Sequence, residues 1–106
     1  MVLARDRTFD LVGIAGTIGE AIDLIRESSP DVLVVDPWLF GPAGLPGCLA
    51  AKQLHPRLLI VALFPEERDE YPRAALAMGV DATVAKQRVG RDLIPAMVTA
   101  LRAVSR

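Results

Sequence analysis

Short unbroken apolar runs alternate along this chain with apolar stripes at helical spacing. Phe9–Ala15 (F-D-L-V-G-I-A) reads as a strand. Ile18, Ala21, Ile22 and Ile25 then recur at i, i+3, i+4 and i+7, one face of an amphipathic helix. Thr17 and Glu20 stand at capping-box spacing ahead of it, and Ser28-Ser29-Pro30 ends it. The next run, Asp31–Trp38 (D-V-L-V-V-D-P-W), sets four apolar residues between two aspartates. A short β-branched run bounded by turn residues fits a strand buried on both faces. Pro37–Gly47 holds three prolines and three glycines and reads as a loop, entering a helix near Leu45 with Pro46 in its first turn. Leu49–His55 continues that helix and Pro56 stops it.

Leu58–Phe64 (L-L-I-V-A-L-F) is a further buried strand, followed by an acidic loop over Pro65–Glu70. Pro72 fits the first turn of a helix running to Met78, with Gly79 as its C-terminal glycine. Val80–Ala85 is a last short strand ending at Lys86. From Asp92, the residues Leu93, Met97, Ala100, Leu101 and Val104 make a final amphipathic helix, with Pro95 in its first turn. Met1–Thr8 is ambiguous, since Met1–Arg5 fits either the last turn of a helix or a short strand. Strand then helix, four times over, predicts a parallel sheet with helices packed on its faces.

In such a sheet Asp36 stands at a strand's carboxyl end, where open α/β folds place their chemistry. Pro37 forbids continuation as a central strand. The plain alternative is an aspartate that caps a turn. Trp38, Leu39 and Phe40 follow it as an apolar cluster, fitting either a loop packed on the next helix or a contact patch for another protein. Composition narrows the class. At 52% hydrophobic the 106 residues are too apolar for disorder and suit a single domain with one modest core. No apolar run approaches the ~18 residues of a membrane span, and Met1–Ala4 makes no signal peptide, so the expectation is a soluble, cytoplasmic protein. Cys48 is the single cysteine and His55 the single histidine, too few for a disulfide or a metal cluster. A formal net charge of −1 gives no electrostatic case for nucleic acid. Ten of the twelve basic residues are arginine, which makes Lys52 and Lys86 the minority choice.

The chain resembles the receiver domain of bacterial two-component response regulators, particularly those linked to helix-turn-helix output domains. L-V-G-I-A at Leu11–Ala15, followed by G-E-A-I at Gly19–Ile22, is similar to that family's second strand and helix. P-D-V-L-V-V-D at Pro30–Asp36 resembles the strand that carries the phosphoacceptor. Gly41, Gly44 and Leu45 match the post-aspartate loop, with Phe40 in place of the usual proline. A-L-A-M-G-V-D-A at Ala75–Ala82, then T-V-A-K, resembles the segment that ends at the family's lysine. The resemblance implies a flavodoxin-like fold, Asp36 as the phosphoacceptor equivalent, and Lys86 as the phosphoryl contact. A compact ammonium on a flexible stem suits that second role.

Departures from the family are equally specific. A strand and helix precede the segment matching Phe9–Ala15 in the family, and with connectors they need about 25 residues. Only eight residues precede Phe9 here. Absent with that strand is the acidic pair that holds Mg²⁺, and Asp6 and Asp10 do not follow an apolar strand. The family's hydroxyl residue falls at Phe64, and its aromatic switch position at Thr83. We therefore expect a receiver-like sheet of four parallel strands with helices on both faces, lacking the first strand and helix. In the family's strand order, 2-1-3-4-5, the vacated slot calls for one of two solutions. Either Leu11–Ala15 pairs directly with Val32–Val35, or an N-terminal segment such as Met1–Arg5, of the same chain or a partner, fills the gap.

The expected function is a degenerate signalling module, not an enzyme and without a cofactor, that acts through protein contacts. Expected partners are a histidine kinase, an output domain or another receiver, with a homodimer included and nucleic acid and membrane excluded. The alternative is an ordinary phosphoreceiver, with Mg²⁺, whose first strand lies outside this sequence. Gly13, Gly16 and Gly19, with Asp36 downstream, also imitate a dinucleotide fingerprint, but the spacing differs from G-x-G-x-x-G. A hydrolase with Asp36 as nucleophile would want a partner acid or base, and Asp36-Pro37-Trp38 supplies none.

Overall fold

The computed structural model describes residues 2–5, 10–65 and 70–104, with side chains over 13–65 and 70–102. Five strands, β1 (Val2–Arg5), β2 (Asp10–Ile14), β3 (Val32–Val35), β4 (Leu59–Phe64) and β5 (Ala82–Ala85), form one sheet in the order β2-β1-β3-β4-β5. The helices are α1 (Ile18–Ser28), α2 (Gly44–Leu54), α3 (Glu70–Ala77) and α4 (Val89–Val104). β3, β4 and β5 run parallel, whereas β1 is antiparallel to both of its neighbours. The α/β, flavodoxin-like class is as the sequence indicated, and the four-stranded parallel sheet is corrected to a mixed sheet of five.

The N-terminal segment fills the vacated slot. β1 pairs with β2 through Val2↔Ile14 and with β3 through Val2↔Val34, so β2 and β3 do not pair directly. Its direction follows from chain length. Only residues 6–9 separate β1 from β2, a span that closes a hairpin, while a parallel crossover needs a dozen or more. Asp6 lies outside the described residues. Asp10 pairs with Arg5 at the amino-terminal edge of the sheet, roughly 15 Å along the strands from the level of Asp36.

Two local boundaries also differ from the sequence expectation. Pro37–Ala43, read as loop, winds as a 3-10 segment kinked at Gly41, whose φ of 60° lies in the left-handed region. Pro37 occupies its first turn, where a proline's missing N–H costs nothing. α4 begins at Val89, not Asp92, so Pro95 lies inside the helix and not in its first turn.

Helices α1, α2 and α3 cover one face of the sheet, where Ala21, Ile25, Cys48, Ala51 and Ala75 pack on Leu33, Val35, Ile60 and Ala62. The other face carries α4, whose Met97 and Ala100 pack on Val32, Val34, Leu59, Val61 and Val84. β3 is buried over its whole length, as its unbroken valine-rich run requires.

Burial pushes the Cys48 thiol up to about 11 from 9.0. Between those values an unfolded thiol loses its proton while the folded one keeps it, so the folded state binds more protons. The contribution of Cys48 is therefore fully present below about 9 and falls as pH rises towards 11. Wild-type stability should drop relative to Cys48→Ala by on the order of 2 kcal/mol across that window, read by urea unfolding. Parallel pH profiles for the two proteins would contradict a thiol held neutral by burial.

Candidate functional site at the carboxyl edge

The carboxyl ends of β3, β4 and β5 meet at one edge because the three strands run parallel. Asp36 follows β3 directly and is the one buried charged residue among those described, at 7% exposure. It caps the 3-10 segment: Oδ1 accepts a hydrogen bond from the Trp38 backbone N–H at 3.0 Å. Its other oxygen, Oδ2, forms an ion pair with Lys86 Nζ. Both carboxylate oxygens are thus engaged, one by backbone and one by an ammonium. The plain reading of Asp36 as a turn cap is met, and the same carboxylate lies against Lys86.

Lys86 follows β5, whose last residue, Ala85, stands level with Phe64 at the end of β4. The pair therefore reaches over the end of β4, two strand spacings or about 10 Å, which the long lysine stem spans. Gln87 Nε2 donates to the Pro65 carbonyl at 3.3 Å and ties the ends of β4 and β5 together. Phe64 is half-buried at this edge and has no hydroxyl to offer. Thr83 is half-buried within β5, opposite Ala62, short of the carboxyl edge.

The apolar cluster after Asp36 divides. Trp38 and Phe40 pack against the core, while Leu39 is 74% exposed. The Trp38 ring meets Tyr71 of α3 edge-on, with centroids 4.9 Å apart and planes at 72°. Such aromatic pairs contribute about 0.5–1.5 kcal/mol beyond their burial and here fasten the post-aspartate segment to α3. His55 closes α2, its backbone N–H donating to Ala51 O. Gly13 lies within β2, facing Leu24, and not in a phosphate-binding turn.

A Mg²⁺ ion prefers several oxygen ligands in octahedral geometry, usually including one or two carboxylates. Among the described residues no three His, Cys, Asp or Glu side chains gather to hold a metal. Asp36 supplies one carboxylate at this edge, and both of its oxygens already have partners.

Sequence reasoning missed a second ion pair at the opposite edge. Asp81 Oδ2 accepts from Lys52 Nζ at 2.7 Å and from the Ile60 backbone N–H at 2.8 Å. Lys52 Nζ also donates to Leu58 O at 2.6 Å. The signal was there in the arginine bias. Both lysines of the chain pair with aspartates, one at each end of the parallel strands.

Solved structures of similar shape include two response regulators. A two-component response regulator of the LuxR family from Aurantimonas sp. SI85-9A1 is 27% identical with a TM-score of 0.75, over 84% of this chain and 64% of that one. A DNA-binding response regulator of the LuxR family from Staphylococcus aureus is 25% identical with a TM-score of 0.67, over 80% of this chain and 71% of that one. The chain is a response-regulator receiver-like domain. NtrX from Brucella abortus adds a third match, 25% identical with a TM-score of 0.69, over 86% of this domain and 23% of that chain. By sequence, the domain is 30% identical over 89 residues to a protein-glutamate methylesterase/protein-glutamine glutaminase of Methanospirillum hungatei JF-1. That match covers 82% of this domain but only 26% of the methylesterase. No family model matches the chain. Among the described residues no helix is long and apolar enough to cross a membrane.

Proposed function

We propose that this receiver-like domain is degenerate: it signals through protein–protein contacts, with Asp36 held in a standing pair with Lys86, and is not an enzyme. The observation that carries this reading is the engagement of both Asp36 oxygens, by Trp38 N–H and by Lys86. Phosphoryl transfer depends on positioning and on neutralising charge spread over oxygens, much of it by a divalent metal. Lys86 brings one positive charge, and Phe64 cannot donate the hydrogen bond that a hydroxyl would give. The reversed β1 supports the same reading, since its carboxyl end, where the family carries its acids, points to the opposite edge. Expected partners are a kinase, an output domain or another receiver, in the cytoplasm.

One observation favours the second reading, a working phosphoreceiver. Asp36 and Lys86 do share the carboxyl edge, as an acceptor and its lysine would. Acetyl phosphate with Mg²⁺, followed by intact-mass measurement, separates the two, with Asp36→Asn as control. No mass gain is expected. A phosphate-sized gain that requires Mg²⁺ and vanishes in Asp36→Asn would restore the phosphoreceiver and sink the locked-site reading.

A further inference from the structure

We draw no further inference here: the strongest candidate, the hollow between α4 and the start of β5 walled by Asp81, Asp92, Pro95 and Thr99, carries nothing because Asp81 already pairs with Lys52 and Asp92 with Arg88 and Arg91, and nothing in the structure shows what covers it.

Discussion

Gly44→Ala should destabilise the protein by about 3 kcal/mol or more, at the upper end of what overpacking costs. A Cβ at Gly44 would stand 1.7 Å from the Pro37 carbonyl oxygen, 2.6 Å from its carbon and 3.0 Å from its Cα. All three are backbone atoms, so no rotamer change relieves the clash. Pro37 is fully buried and Asp36 caps the segment it opens, so the Pro37 backbone has little room to retreat. The φ of Gly44 is −63°, an ordinary helical value, so the demand is for space and not for left-handed backbone. Gly90, near the start of α4, is the matched control. A Cβ there meets nothing within 4 Å, and Gly90→Ala should be neutral or stabilising by up to about 1 kcal/mol. Urea unfolding followed by the fluorescence of Trp38, the single tryptophan, measures both. A Gly44→Ala variant within 1 kcal/mol of wild type would contradict this close approach of α2 to Pro37.

Much of the fold was legible because buried parallel strands leave a strong mark. β3 and β4 read as unbroken apolar runs since both of their faces are covered, and their observed limits fall within the runs. β1 was harder. Four residues cannot display a periodicity that separates strand from helix, and V-L-A-R suits either. Its direction, by contrast, was implicit in the four-residue spacing to β2, which only a hairpin can bridge. The 3-10 winding after Asp36 was hidden because prolines and glycines signal a turn without specifying its shape. At the site, Asp36 and Lys86 were visible as a buried strand end and a rare lysine. What each oxygen of Asp36 touches was not visible, because the Trp38 N–H and the Lys86 ammonium arrive from a local turn and from fifty residues away.

Lys52 was marked by the same rarity and passed over because its partner, Asp81, lies before a strand and not at a catalytic edge. Asp81→Ala should cost about 2–4 kcal/mol, the sum of an orphaned donor and a lost charge-assisted contact. The Ile60 N–H that Asp81 accepts belongs to a residue with no exposure, so water cannot replace the carboxylate there. The Lys52 share is smaller, since both side chains keep 25% exposure and an ion pair open to solvent contributes little. Asp81→Asn retains an acceptor for Ile60 and should lose only about 1 kcal/mol. Lys52→Met should lose no more than that, and the double variant should reveal a coupling of about 0.5–1.5 kcal/mol. The effect should also travel. Asp81 N–H donates in turn to Ile60 O at 2.8 Å, so the two residues clamp the start of β5 to β4 in both directions. Slack at that clamp would shift Ala85 and, beyond it, Lys86, four and five residues along the same strand path. A changed Trp38 emission in folded Asp81→Ala would register that shift at the Asp36 end. Equal losses for Asp81→Ala and Asp81→Asn would show that the Ile60 N–H does not depend on this acceptor.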